Sequence, residues 1–486
     1  MPRWTFILAL ICSGIFEPRY SRAEVSEHAA RPAAAKPNVV FILADDFGYG
    51  DLGCYGHPYA RTPAIDGLSK DGTRFTQFYA TGVTCCPSRT GFMTSKFPAT
   101  FHDYPADSGF GSRVTISELL KKNGYRTGHF GKWHMGPVDS AGTYGFDATP
   151  SSPGSEAGKI RPKQDPRGRD ASLFDQAISF IEKNKDQPFY VNVWAHSTHM
   201  PVDPPVALTE EWKDLVVNED DFPGSMREKF KNCRDRGGDV NQAMRCYLAE
   251  VGGLDRNVGR LLQTLDDLGL RENTIVVFSS DQGPAPLRTA EEEDTQAKEP
   301  KAKKAGKTAG AGKTDRSIVQ LNMMGSAGEL RGGKHTESEG GVRVPFIVRW
   351  PGHVSAARVD TQSVISGVDW LPTLCRFAGV DIDASDFDGE DISAAWLGTE
   401  QKRTKPLFWK TSATGSTAVI RDGRWKLFHP TRKRGEVELY DIAADPAEEN
   451  NVASQQPDLV KELAAKLDAW TDTLPTEYAK TKDRDD

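Results

Sequence analysis

The segment "NVVFILADD" (38–46) limits the fold more than any other part of the chain. Its apolar run has no polar alternation, so it reads as a strand buried on both faces, and such strands belong to sheets covered by helices on either side. The run ends in two carboxylates, Asp45 and Asp46. The same construction recurs: "PFYVNVWAHSTH" ends at His196 and His199, "NTIVVFSSDQG" at Asp281, and "VPFIVRWPG" near a Pro-Gly turn. Buried strands that carry polar groups to their C-terminal ends mark an α/β sheet with its site along that edge. The expectation is a large, mixed, mostly parallel central sheet flanked by helices.

Helical patterns lie between these runs. "TISELLKKNGY" opens on a Thr cap with Glu three residues later, and "DASLFDQAISFIEKN" is amphipathic. In "AMRCYLAEVGGLDRNVGRLLQTLDDLG" the apolar residues from Met244 to Leu268 recur at spacings of three and four, which predicts one long packing helix. From about residue 404 onward, "AVIRDGRWKLFH" and "EVELYDI" read as strands before a final helix, "PDLVKELAAKLDAWTDTL". That tail is expected to form a smaller C-terminal α+β subdomain, residues 404–486, beside a main domain of residues 38–403. Residues 288–317 have almost no large apolar side chains to offset their ordering entropy and read as a mobile surface insertion. The "AGAGKT" within them lacks the first glycine and the preceding strand of a phosphate-binding loop.

The N-terminus combines Arg3, an apolar run from Trp4 to Phe16 and a Ser-Arg-Ala sequence suited to cleavage after Ala23. Residues 1–23 therefore read as a secretory signal peptide and residues 24–37 as a Pro/Ala-rich linker. The apolar run is short of the roughly 20 residues that span a bilayer, so an exported protein without stable membrane insertion is expected. Lys plus Arg number 61 against 68 Asp plus Glu, a net charge of −7, which gives nucleic acid no general purchase. Six cysteines follow the signal, too few for a disulfide scaffold in 486 residues. Cys233 and Cys246 are the one pair considered for a local bridge, and Cys375 reads as a small buried hydrophobe.

Asp45 and Asp46 are adjacent, so both serve one site only where the strand ends and the chain turns; "DDFGYGDLG" supplies glycines for that turn. Paired carboxylates repel, and their natural partner is a hard divalent cation bound through oxygen. In "GVTCCPSRTGF" (82–92) two thiols precede Pro87 and Arg89 at what reads as a helix entry. A disulfide, a metal ligand pair and a nucleophile precursor compete as explanations. The helix N-terminus is expected to lower the pKa of a thiol there, which favours a reactive group.

"CCPSR" is similar to the C-x-P-S-R signature of the type I sulfatases, in the alkaline phosphatase superfamily. In that family the first cysteine is oxidised after synthesis to Cα-formylglycine. Only Cys85 has Pro two positions on and Arg four positions on, so Cys86 is the variable residue. Five further segments resemble the family in order: "NVVFILADDFGYGDLGCYG", "GYRTGHFGKWHMG", "SSDQG", "ELRGGKHTESEGGVRVPFIVRWPG" and "ELYDIAADPAEENNVA".

The resemblance implies an alkaline-phosphatase-like fold and hydrolysis of sulfate esters by a hydrated formylglycine at residue 85. It places a calcium ion (Ca2+) on Asp45, Asp46, Asp281 and Gln282 together with residue 85. Lys132 and Lys334 would clamp sulfate, Arg89 would position residue 85, His134 would orient or deprotonate it, and His199 would protonate the leaving alcohol. His196 is a candidate substrate contact. Gln282 stands where the family pattern has Asn, and Ser95 and Lys96 replace a common Gly-Arg. A maturation enzyme that generates formylglycine is an implied partner. The implied substrate is a sulfated small molecule or glycan, with a sulfated carbohydrate favoured by export and polar loops. Two other readings stand beside this: a phosphodiester or phosphonate monoester hydrolase on the same fold, and a non-catalytic sulfated-glycan-binding protein if Cys85 is unmodified.

Overall fold

The computed structural model describes residues 36–103, 109–136, 140–149, 165–287, 320–410, 417–430 and 435–478. The segments expected to be a signal peptide (1–23) and a surface insertion (288–317) lie outside them. The main sheet contains β1 (Asn38–Ala44), β2 (Thr73–Tyr79), β3 (Arg126–Gly131), β4 (Phe189–Trp194), β5 (Thr274–Ser280), β6 (Arg343–Arg349), β7 (Arg358–Asp360) and β8 (Ile365–Ser366). Its order is β3-β4-β1-β5-β6-β2-β7, with β8 also beside β2. β1 runs parallel to both its neighbours, and β3 runs parallel to β4.

Every residue of β1 is buried, and its alternation divides the side chains between two cores. Val40, Ile42 and Ala44 join one cluster with residues of the helices Pro63–Lys70, Ala171–Asn184, Gly224–Asp235 and Val240–Asp267. Val39, Phe41 and Leu43 join another with the helices Cys85–Thr94, Ile116–Lys122 and Trp370–Ala378. Helices on both faces are what an uninterrupted apolar strand requires. The Thr115 cap and Glu118 form the reciprocal capping box at the start of Ile116–Lys122.

One strand departs from the sequence expectation. "VPFIVRWPG" forms β6, which lies antiparallel between β5 and β2, so its C-terminal end points away from the edge where the others end. What it brings to that edge is the segment before it, 331–342, which carries Lys334.

A second, antiparallel sheet has the order β12-β11-β10-β9, formed by β9 (Leu407–Trp409), β10 (Thr417–Asp422), β11 (Trp425–Pro430) and β12 (Glu438–Asp441). The Gly423-Arg424 turn joins β10 to β11, with Asp422 opposite Trp425. Ala418, Ile420, Leu427 and Leu439 pack against Leu463 and Leu467 of the helix Pro457–Thr471. Val419, Phe428 and Tyr440, together with Leu407 and Trp409, face the main domain at Tyr79, Val83, Phe97, Val342 and Val368. The described residues from Lys36 onward form one compact unit, in which this sheet is a smaller part.

Cys233 and Cys246 form no bridge, and none of the six cysteines among the described residues is in a disulfide. Both sit in the main core cluster, where burial of a small apolar side chain explains them. Cys375 is buried as expected.

Candidate active site

Four adjacent parallel strands end at one edge, and each carries site residues just past its last ladder position. β1 leads into Asp45 and Asp46, β5 into Asp281 and Gln282, β4 into His196 and His199, and β3 into Lys132 and His134. Asp46 adopts φ 60°, in the left-handed region, and this lets two consecutive carboxylates serve one site. The turn is tied to its neighbours by bonds from Asp45 N to Ser197 O (2.9 Å), from Thr198 N to Asp45 O (2.7 Å) and from Asp46 N to Asp281 Oδ1 (3.1 Å).

β2 delivers the helix Cys85–Thr94, whose ten residues are all buried and whose first residue is Cys85. The thiol donates to Asp45 Oδ1 (3.3 Å), and Lys132 Nζ (3.1 Å), Gln282 Nε2 (3.4 Å) and Lys334 Nζ (3.8 Å) approach the same sulfur. Lys132 Nζ also donates to Asp45 Oδ2 (2.5 Å), and Lys334 Nζ to Asp46 Oδ2 (2.8 Å). Arg89 is fully buried; Nε and Nη2 donate to Asp281 Oδ2 at 3.0 and 2.8 Å, and Nη1 to the Lys132 carbonyl at 2.8 Å.

The thiol differs from the sequence expectation. Burial, and then the Asp45 carboxylate, push Cys85 up to about 12 rather than down. A helix N-terminus acts weakly against complete desolvation beside carboxylates, so an unmodified Cys85 is a protonated thiol.

Asp45 is held well below the ordinary carboxylate range: burial alone would raise it, but Lys132, His199, Arg89 and Lys334 outweigh that. Asp281 is instead raised to about 6 by burial and by Asp45. Oxygens of Asp45, Asp46 and Asp281 lie within 4.8 Å of one another. Gln282 Nε2 donates to Asp46 Oδ1, while its buried Oε1 has no hydrogen-bond partner among the described residues. Three converging carboxylates and an orphaned amide oxygen form an all-oxygen donor set that fits a hard cation such as calcium.

The histidines differ in placement. His199 Nδ1 donates to the Met200 carbonyl (2.8 Å), which leaves Nε2 on the side of Asp46 Oδ2, 3.9 Å away. Burial lowers its pKa. His196 is partly exposed, and its Nδ1 meets Asp170 Oδ1 at 3.2 Å. His134 is exposed two residues beyond Lys132, with φ 56°. His335, beside Lys334, is exposed with φ 77°.

Several supporting residues escape a reading of the sequence. Asp170 stands at the start of the helix Ala171–Asn184 yet makes no side-chain cap bond to it. Its carboxylate instead accepts from His196 N, Ser197 N and Ser197 Oγ at 2.9, 3.0 and 2.6 Å. Arg169 donates to the His199 carbonyl (2.6 Å) and to Glu250 Oε1 (3.1 Å). Asp51 gathers Gly48 N, Ser326 N and the Tyr247 hydroxyl behind the Asp46 turn. Asp51 lies in "GYGDLG", a visible motif, whereas Asp170 looks like an ordinary cap.

Ser95 takes the left-handed C-cap of the nucleophile-bearing helix (φ 55°), a conformation that suits the glycine of the family pattern. Its hydroxyl compensates by donating to Val368 O (2.5 Å).

The Sulfatase family profile matches residues 37–380, and the profile "N-sulphoglucosamine sulphohydrolase, C-terminal" matches residues 333–473. The chain is 29% identical to human arylsulfatase A over 536 residues, an alignment covering 94% of this chain and 93% of the relative. It is 28% identical to the N-acetylgalactosamine-6-O-sulfatase of Bacteroides thetaiotaomicron over 532 residues, covering 89% and 93%. The crystal structure of Ps i-CgsB in complex with k-i-k-neocarrahexaose shares the fold, with TM-score 0.71 at 23% identity over 92% of this chain and 95% of that one. Because the profile spans most of the chain and the motifs behind it meet at a single strand edge, the chain belongs to the sulfatase family of the alkaline phosphatase superfamily and is a sulfatase.

Proposed function

We propose that the protein hydrolyses sulfate esters of a carbohydrate, with residue 85, as Cα-formylglycine, supplying the nucleophile. The observation that carries this reading is the position of Cys85 Sγ, between Asp45 and the ammonium groups of Lys132 and Lys334. A sulfate ester repels nucleophiles through its anionic oxygens, so its hydrolysis needs positive charge gathered before the substrate arrives. Here Arg89, Lys132 and Lys334 are balanced by Asp45, Asp46 and Asp281, and the two lysines lie directly on Asp45 and Asp46. Calcium held by Asp45, Asp46, Asp281 and Gln282 would supply the charge that turns both lysines toward an anion.

Oxidation of Cys85 would supply a hydrated aldehyde, whose second hydroxyl would let the sulfated residue release sulfate as the aldehyde reforms, a route that an ordinary serine or cysteine lacks. Arg89 keeps Asp281 and the Lys132 backbone in register with residue 85. His134 orients or deprotonates the nucleophile. His199 is fixed through Nδ1, so Nε2 is the atom that, on the protonated ring, delivers a proton to the leaving alcohol. His196, tied to Asp170, binds the substrate beside it. A sulfated glycan is supported by the relative named for N-acetylgalactosamine-6-O-sulfate chemistry and by the fold neighbour solved with a neocarrahexaose. An N-terminal signal would export the protein to such substrates.

The test joins aldehyde trapping and peptide mass spectrometry across residues 85–89, on protein from its native host, with rates on 4-nitrophenyl sulfate and a phenyl phosphonate ester. Formylglycine at residue 85 and a preference for sulfate are expected. Unmodified cysteine with no turnover would move the protein to sulfated-glycan binding, and a preference for phosphonate would move it to the other hydrolase class.

A further inference from the structure

We infer that Glu448, in the C-terminal sheet region, is a positioning residue for Lys334 in the active site. This rests on the role given to Lys334 above. The segment 331–342 carries Lys334 from the seam between the two sheets into the site, and it contains Gly332, Gly333, Gly340 and Gly341. These glycines allow close approaches that a side chain would block: a Cβ on Gly341 would lie 2.0 Å from Thr336 O. They contribute no stiffness of their own, so the path of the segment is set by what holds its ends.

One carboxylate oxygen holds both ends. Glu448 Oε2 accepts from Arg331 Nε (3.1 Å) and from the backbone N of Glu339 (2.9 Å). The Glu339 side chain is held in turn, with Oε1 bound by Lys426 Nζ (2.9 Å) and Oε2 by the Tyr79 hydroxyl (2.7 Å). Lys426 Nζ lies 3.0 Å from Glu448 Oε1, and the side chains of Lys426, Glu339 and Glu448 are fully buried. Arg331 also binds Glu438 Oε2 of β12 at 3.0 Å and the Tyr440 hydroxyl at 3.2 Å. Lys334 lies between the two anchors with Nζ 2.8 Å from Asp46 Oδ2.

Glu448 is itself rigidly placed. It adopts φ 55° in a turn whose next two N–H groups, of Glu449 and Asn450, donate to Asp445 at 3.1 and 2.8 Å. The C-terminal sheet therefore fixes where a sulfate-clamping ammonium stands without touching substrate, and displacement by about 1 Å is enough to cost rate on the order of 100-fold.

The experiment is a double-mutant cycle on the full-length mature enzyme, using kcat/KM for 4-nitrophenyl sulfate and the urea midpoint. Glu448→Gln and Arg331→Met are each made in the Lys334 and Lys334→Ala backgrounds. With Lys334 present, each is expected to lower kcat/KM by about 10-fold or more; with Lys334→Ala, by no more than about 2-fold, while the urea midpoint falls equally in both backgrounds. Equal losses of kcat/KM in the two backgrounds, or unchanged kcat/KM with a lowered midpoint, would overturn the inference and leave Glu448 a structural residue. If Glu448→Gln fails to fold, Arg331→Met, at a partly exposed side chain, decides the cycle alone. A Lys334→Ala enzyme with undiminished kcat/KM would instead remove the catalytic role of Lys334, and the positioning role with it.

Discussion

Replacing Asp170 with Asn tests how the histidine turn after β4 is held. The substitution keeps the volume but removes the charge and one acceptor. Asp170 Oδ1 accepts from His196 N and Oδ2 from Ser197 N, so either orientation of the amide sets an NH2 against a buried backbone N–H. Burial alone would raise this carboxyl, yet the hydrogen bond and charge of His196, with Arg169 and Ser197, bring it from 3.8 to about 2. That lowering is worth about 2–3 kcal/mol of folding free energy. An unsatisfied buried donor adds about 1–3 kcal/mol. Asp170→Asn is therefore expected to lose about 3–6 kcal/mol at pH 7, read by urea denaturation followed through tryptophan fluorescence.

The pH dependence has a fixed sign. A carboxyl with a depressed folded-state pKa stabilises fully above its unfolded value of 3.8, and the benefit vanishes as pH falls through about 2. The gap between wild type and Asp170→Asn should hold from pH 7 down to near 4 and narrow by about 2–3 kcal/mol below it. Activity should fall by on the order of 10- to 100-fold, since the turn carries His196 and His199. A gap under about 1 kcal/mol at pH 7, or one that persists unchanged to pH 2, would refute the assignment.

Two further predictions concern the neighbouring elements. Chelation should leave Asp45, Asp46 and Asp281 without their cation, and calcium restored at 100 times its Kd should recover about 2.7 kcal/mol, seen as a later urea midpoint; an unmoved midpoint would remove calcium from the site. Gly131→Ala places a Cβ 1.9 Å from Trp194 O at φ 107°, immediately before Lys132, so a loss of about 3 kcal/mol or more is expected, and ordinary stability would show that the β3 turn is laxer than described.

The buried runs of β1, β4 and β5, the capping box at Thr115 and the long helix to Asp267 were legible in the sequence, because each depends on local periodicity and capping chemistry. The candidate site was legible too, since motifs at strand ends must meet once those strands pair in parallel. β9 and the short β7 and β8 were not anticipated; strands of two or three residues have no periodicity to read. The direction of β6 was equally invisible, because a strand buried on both faces looks the same whichever way it runs.

The chain by itself determined the doubly covered sheet and the carboxylates, cysteine and lysines of the site, because apolar patterning and residue type are local properties. Tertiary structure alone decided the environment of each group. It raised the Cys85 thiol through burial beside Asp45, diverted Asp170 from its own helix to the His196 turn, and set Glu448 across the seam from Lys334. Those effects depend on desolvation and on charges far apart in sequence, and neither exists until the chain is packed.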